Sequence, residues 1–508
     1  MDHNSHNTKR IAKNTLMLYV RMLFLMLVGL YTSRVVLEAL GENDYGIYNV
    51  VGGVVAMCTI ISGALTSAVY RFITFELGKG SGAQLGKVYS TAVTIQIMLA
   101  VVVAMVAEPV GLWFIDNKMS IDPLRIPAAR MVLHFSLLAF VINLMSVPQM
   151  AAITAHEKMS AYAYIGMMDG VLRLGAALLI VKSSADRLVC YAALMAGVVL
   201  VVRFAYGLYC RSHFAECRYR PAIDRKLLGE MFSFAGWNFI GVSAGVLRDQ
   251  GGNILVNLFA GTAVNAARGV AFQLNGAIQG FVTNFMTAVN PQITKSYAAG
   301  DLDYMFSLVR KASRMSYYLL FVLSLPVLFN TEYLLGLWLK DVPEHSALFV
   351  QLFIIFALSE SLSNPLVTTQ LATGKIRDYQ LVVGGLMLLN IPVSYVLLRM
   401  GFLPEVTVVV AIVISQVCLW ARLVMLKRMI GFPMGDFLRR VCLNVLAVTL
   451  TALVLPLLAE SFMPDTFWGF AIDVVLCVLS ASLTVMFVGC SKAERKEIFS
   501  MIHRRLGA

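Results

Sequence analysis

Apolar stretches of ~20 residues or more recur along the whole chain, about fourteen of them, and each could cross a ~30 Å hydrocarbon core as an α-helix. They begin near Ala12, Tyr45, Gly86, Leu124, Ser160 and Leu188, then near Met231, Ala263, Met305, Ala347, Tyr379 and Val406, and last near Leu438 and Phe467. Short polar loops separate them. The pattern predicts an all-α, polytopic membrane protein.

A weak internal repeat organises these spans. Gly111-Leu112-Trp113 returns as Gly336-Leu337-Trp338, and Pro148 with Ala155-His156-Glu157-Lys158 and Tyr162 returns as Pro365 with Ala372-Thr373-Gly374-Lys375 and Tyr379. The offset, about 220 residues, is one six-span unit, so the halves are expected to be parallel repeats with substrate bound between them near mid-membrane. The expected organisation is a six-helix bundle over 1–210, a linker over 211–230 and a second six-helix bundle over 231–428. Helices 13 and 14, with a basic tail, fill 429–508.

Charge refines this picture. Charged residues make up only 14% of 508 residues, against about 25% in ordinary soluble domains, which leaves no room for a large soluble enzyme domain. The net charge of +12 comes from Lys and Arg beside the spans on one side of the membrane, so it needs no nucleic-acid partner. The external first loop carries Glu38, Glu42 and Asp44 without a base, whereas the internal sixth loop carries Arg211, Arg218, Arg220, Arg225 and Lys226. By the positive-inside rule both termini are expected in the cytoplasm. The first span is too long for a signal-peptide core and is expected to remain as an anchor. Eight cysteines include no metal-ligand spacing, and neither a metal nor a cofactor is expected.

Arginines inside the spans carry the chemistry. Arg21, Arg34, Arg130, Arg173, Arg203, Arg248, Arg268 and Arg422 all fall in apolar segments. A central arginine costs roughly 2.5–3.5 kcal/mol on insertion scales, so their recurrence asks for an anionic partner or a wet cavity. In the seventh span Asn238, Asp249, Asn253 and Asn257 form one drifting stripe, and in the eighth Arg268, Asn275, Gln279 and Asn290 share a face. Such stripes either line a cavity or join helices through hydrogen bonds; Arg248 and Arg268 favour the cavity. The candidate substrate-binding residues are therefore Arg21, Arg34, Arg248, Arg268, Asn253, Asn275 and Gln279. Arg21 is placed for a cavity, while Arg34 could snorkel to the outer interface, the expectation also for Arg130, Arg203 and Arg422. Asp169 and Arg173, one turn apart, read as a structural ion pair. Asp249 and Glu360 are the candidates for ion coupling, unless arginines from other helices answer them.

The opening from Asn14 to Val55, above all the Leu-Gly-x-x-x-Tyr-Gly-x-Tyr pattern from Leu40 to Tyr48, resembles Wzx-type polysaccharide flippases. These belong to the multidrug/oligosaccharidyl-lipid/polysaccharide (MOP) superfamily, and the wording is similar to versions found in gut Bacteroidetes. The resemblance implies a MATE-like V shape of two six-helix bundles around a cationic cavity in the bacterial inner membrane. It implies flipping of a polyprenyl-pyrophosphate-linked oligosaccharide, with arginines of the first, seventh and eighth helices, here Arg21, Arg248 and Arg268, at the cavity. The expected partners are that lipid-linked oligosaccharide, membrane lipids, and polysaccharide polymerase and assembly proteins. Two other readings stand beside it. One is a sodium- or proton-coupled exporter, which should show more acids than arginines in its cavity. The other is a polysaccharide polymerase or ligase, which should carry a large external loop.

Overall fold

The computed structural model describes residues 2–495 apart from 81, 120, 221–223, 340, 341, 461–465 and 493. The expected basic tail beyond Arg495 lies outside the described residues. Twelve segments among them are long and apolar enough to cross a membrane. One, Arg225–Ala298, runs 74 residues and reverses at Gly261, so it holds two crossing helices. The first helix, α1 (Asp2–Met57), likewise turns at Gly41, and its second arm leads into α2 (Thr59–Lys79). The twelve segments and these two reversals account for the fourteen spans.

Two compact units emerge. The first comprises Met1–Val242 and Thr287–Gly300; the second comprises Ser243–Met286 and Asp301–Ala508. In the first, α3 (Gly82–Asn117), α4 (Ile126–Ala155), α5 (Met159–Val181) and α6 (Arg187–His213) follow α1 and α2, with α4 against α6 and α1 against α5. The long helix α7 (Arg225–Ala298) starts in this unit, crosses into the second and returns its last residues to the first. The second unit continues with α8 (Leu302–Phe329), α9 (Thr331–Trp338), α10 (Ser346–Thr373), α11 (Arg377–Leu388), α12 (Asn390–Arg399) and α13 (Val406–Ile430). Here α10 lies between α8 and α13. The short α14 (Met434–Phe437), then α15 (Leu443–Glu460) and α16 (Phe467–Thr484), complete it, with α15 and α16 paired.

Local chemistry sets these boundaries. Asp186, Asp224 and Asp301 cap α6, α7 and α8 by accepting backbone N–H bonds, each worth about 1 kcal/mol. The eleventh span breaks between α11 and α12, where Pro392 has no N–H to offer the Leu388 carbonyl. Pro148 and Pro365 stay within α4 and α10.

The backbone carries the repeat more clearly than the side chains do. Gly41 (φ 76°, ψ 168°) and Gly261 (φ 83°, ψ −178°) make the same sharp reversal, a conformation L side chains rarely adopt. The interval between them also separates Gly80 (φ 74°) from Gly300 (φ 76°), each just beyond a helix end. At the opposite ends of the bundles, Arg125 Nη1 bonds Asp186 at 2.6 Å in the first unit, and His345 Nδ1 meets Glu405 at 2.6 Å in the second. Both acids stand at the N-cap of a helix, α6 and α13 respectively. Arg125 also bonds Asp44, just beyond the Gly41 reversal.

Where α4 passes into α5, Glu157 gathers the first unit together. Its carboxylate is 2.8 Å from Arg10 Nε, 2.7 Å from Lys295 Nζ and 2.6 Å from Gln292 Nε2, while its carbonyl accepts a bond from Asn14. The side chain is 1% exposed and its backbone has φ 59°. The structure thus ties the start of α1 and the end of α7 to one carboxylate.

Candidate functional site

Each unit carries guanidinium groups on its span helices, partly buried in the first and more deeply buried in the second. In the first, Arg21 stacks over the Tyr162 ring, 4.5 Å from its centroid, and lies against Gly166, where a Cβ would collide with its Nε. That Nε is buried with no hydrogen-bond partner among the described residues. Arg21 lines a cavity of about 430 Å³ enclosed by α1, α4, α5 and α6. The same wall carries Asp169 and Arg173, whose carboxylate and Nε are 2.9 Å apart. Tyr162, Gly166, Asp169 and Arg173 fall on one face of α5, because steps of three and four residues return to the same side of a helix. Arg34 is elsewhere: it is 77% exposed and pairs with Glu38 at 3.0 Å. The straight helix puts Arg21 and Arg34 on different faces, and only Arg21 reaches the cavity.

In the second unit, α10 presents Phe353, Phe356 and Glu360 at helical spacing. Arg268 lies over Phe353 with 5.1 Å to the centroid, and Arg248 over Phe356 with 4.8 Å. Such stacking contributes about 2 kcal/mol when desolvated. Arg248 Nε also donates to Asp249 at 2.9 Å. Arg268 is 4% exposed and donates to Asn253 at 2.8 Å, to Thr407 Oγ1 at 3.3 Å and to the Asp249 carbonyl at 3.4 Å. Gly252 makes room for it, since a Cβ there would sit 2.5 Å from its Nη2. Asn253 thus holds Arg268 with its oxygen and reaches Gln250 with its amide. Asn275 is buried with Oδ1 lacking a protein partner. Gln279 is half-buried, and its backbone carbonyl receives Thr283.

Glu360 is flanked by arginine. Arg248 and Arg422 both lie within electrostatic reach of it, although its Oε1 makes no hydrogen bond. Arg422 does not snorkel: it is 2% exposed, the largest fully buried side chain among the described residues, with Nε and Nη1 lacking partners there. Its position near the end of α13 suggests an interface, but it lies inside the bundle with Tyr379 and then Glu360 as its electrostatic partners. Arg130 is half-exposed and lies 2.9 Å from Asp116.

The sequence reading missed the aromatic supports Tyr162, Phe353 and Phe356, the room made by Gly166 and Gly252, and the Glu157 cluster. Spacing could have found the first group, since Phe353, Phe356 and Glu360 already mark one face.

This multi-pass helical architecture is the fold seen in MATE transporters. It superposes on a MATE transporter in complex with MaD3S with a TM-score of 0.70, at 12% identity over 83% of this chain and 97% of that one. An outward-facing multidrug resistance MATE family transporter of the MOP superfamily matches with a TM-score of 0.70, at 12% identity over 82% and 95%. A MOP superfamily transporter from Pyrococcus furiosus, described as having a binding pocket of reverse polarity, matches at 0.68, with 11% identity over 82% and 96%. At these identities the likeness is one of fold. The family model for polysaccharide biosynthesis proteins matches residues 11–297, more than half the chain, and the chain belongs to that family. No curated protein matches its sequence.

Proposed function

We propose that this protein flips a polyprenyl-pyrophosphate-linked oligosaccharide from the cytoplasmic to the outer leaflet of a bacterial inner membrane, supplying surface polysaccharide synthesis by alternating access. The observation that carries this reading is Arg21: a guanidinium on a cavity wall whose buried Nε–H has no acceptor among the described residues. A phosphate oxygen is the acceptor such a group lacks, and a planar fork that stays charged suits a pyrophosphate. Arg248 and Arg268 in the second unit repeat the chemistry against aromatic faces. Polymerase and assembly proteins then take the exported unit. The family supports a place in polysaccharide synthesis, and the fold supports transport.

Asp249 and Glu360, the candidate carboxylates for coupling, are both near arginine. Their role in this reading is charge balance. An inside-negative potential already favours outward movement of an anion, by about 2.3 kcal/mol per charge per 100 mV.

The test is accumulation of lipid-linked oligosaccharide in a strain lacking the gene, with its leaflet read by an impermeant probe. Cytoplasm-facing accumulation, relieved by the intact gene and not by Arg21→Ala or Arg248→Ala, is the expected result. Normal surface glycan with no accumulation would redirect the reading to efflux of small molecules.

A further inference from the structure

The cavity of the first unit has more chemistry than a pyrophosphate needs. Beyond Arg21 its walls carry the Asp169–Arg173 pair, the amide of Asn143, the hydroxyls of Ser136 and Ser146, and the rings of Tyr48 and Tyr206. The pair is not sealed: the side chains of Arg173 and Asp169 keep 41% and 27% of their exposure. A carboxylate and a guanidinium side by side offer acceptors and donors in one plane, and nearby rings offer flat apolar faces. That combination matches a pyranose, whose edge is hydroxyl groups and whose face is C–H. From Gly166, where Arg21 rests, to Arg173 is about 10 Å along α5, so the pair stands further along the wall than the guanidinium. The volume, about 430 Å³, falls among small-ligand sites.

The second unit shows that this pocket is no automatic product of the repeat. Asn143 stands before Pro148 on α4 as Glu360 stands before Pro365 on α10. In the second unit that helix face is covered by the protein's own Arg248 and Arg268, stacked on Phe356 and Phe353. In the first unit the matching face of α4 lines an open cavity.

We infer that the cavity of the first unit is a sugar-binding site, in which Asp169 accepts from and Arg173 donates to hydroxyl groups of the saccharide next to the pyrophosphate held by Arg21. The ion pair is then a specificity determinant and not only a means of neutralising its own insertion. This rests on the reading that the cargo is a lipid-linked glycan.

The full-length protein in lipid nanodiscs provides the test, with two probes: undecaprenyl pyrophosphate, and the lipid-linked oligosaccharide that accumulates in a strain lacking the gene. The wild type should bind the glycan-bearing lipid more tightly by about tenfold or more, the scale of one hydrogen bond to a charged group. Asp169→Asn with Arg173→Gln keeps the net charge and should bring that ratio near one. Asn143→Leu, which leaves the ion pair alone, should reduce it in part. If the two lipids bind the wild type equally, or if a folded Asp169→Asn/Arg173→Gln protein and Asn143→Leu both keep the full ratio, the sugar site is overturned while the flippase reading stands. If the strain accumulates no such lipid, or neither probe binds, the flippase reading fails and the sugar site with it.

Discussion

The guanidinium of Arg21 occupies the space that a Cβ on Gly166 would fill. Arginine is admitted into the first bundle at that point because the facing helix has no side chain there. Gly166→Ala should therefore displace Arg21 while leaving the rest of α5 in place. Export should fall about tenfold or more, a loss of ~1.4 kcal/mol or greater. Gly175→Ala on the same helix meets open space and should leave export unchanged. Surface polysaccharide quantified beside protein abundance checks both.

Gly252 and Arg268 make the matching pair in the second unit. Gly252→Ala should push the guanidinium away from Asn253 and Phe353, and Gly245→Ala, with nothing near its Cβ, serves as the control. Because Arg268 is almost fully buried, the expected loss appears in stability as well as export, at about 1–3 kcal/mol. Thermal unfolding in detergent separates the two effects.

Glu157 should be more sensitive than its position in a connecting turn suggests. Removing a buried partner leaves Arg10 and Lys295 without their counter-charge, so Glu157→Ala should cost about 3 kcal/mol. Glu157→Gly, which suits the positive φ, should still destabilise, because the lost ion pairs outweigh a relief of about 1–2 kcal/mol. A Glu157→Gly protein as stable as the wild type would show that backbone strain, not charge, dominates there.

Arg422 and Glu360 should behave as a coupled pair. Arg422→Met alone and Glu360→Gln alone should each destabilise, and the double variant should recover part of the sum, with a coupling of about 0.5–3 kcal/mol. Glu360→Gln should also retain export, since its proposed role is charge balance. Complete loss of export in a stable Glu360→Gln protein would restore it as a proton or sodium relay.

Acid should loosen the segment after α16. Burial opposes ionisation of Glu494, but the Ser491 backbone N–H and Arg314, 2.7 Å away, outweigh it and hold the carboxyl below its ordinary value. A depressed value means the contact with α8 is fully present at neutral pH and is lost as pH falls below the ordinary carboxylate range, about 4.3. Protection factors of the amides over 489–492, which remove the intrinsic pH dependence of exchange, should fall between about pH 5 and pH 3, and Glu494→Gln should show the lower protection at both.

Much of the fold could be read from hydrophobic length alone, since a span announces itself wherever ~20 apolar residues run together. The buried arginines were equally visible, being costly wherever they occur in such a run. What escaped was whatever depends on two segments meeting. Nothing in Gly41 or Gly261 marks it as the residue that reverses the chain, because many glycines in the spans are simply helical. Arg422 looked peripheral because distance to a span end was the only guide, whereas its partners, Tyr379 and Glu360, stand on other helices. Glu157 did leave a signal. The repeat sets it opposite Gly374, and Gly374 has φ 76°, so a glutamate in that place had to be held by something.

Lys295 reaches Glu157 only because the end of α7 returns to the first unit. The first bundle is thus left incomplete by the first 242 residues: its innermost carboxylate waits for a lysine made some fifty residues later, ~3–10 s at the usual rate of synthesis. During that interval the nascent bundle holds a buried acid with half its cations missing. Maturation of the first half is therefore set by the emergence of the second, and a chain cut in the linker and expressed as two pieces would have to reassemble before either was whole.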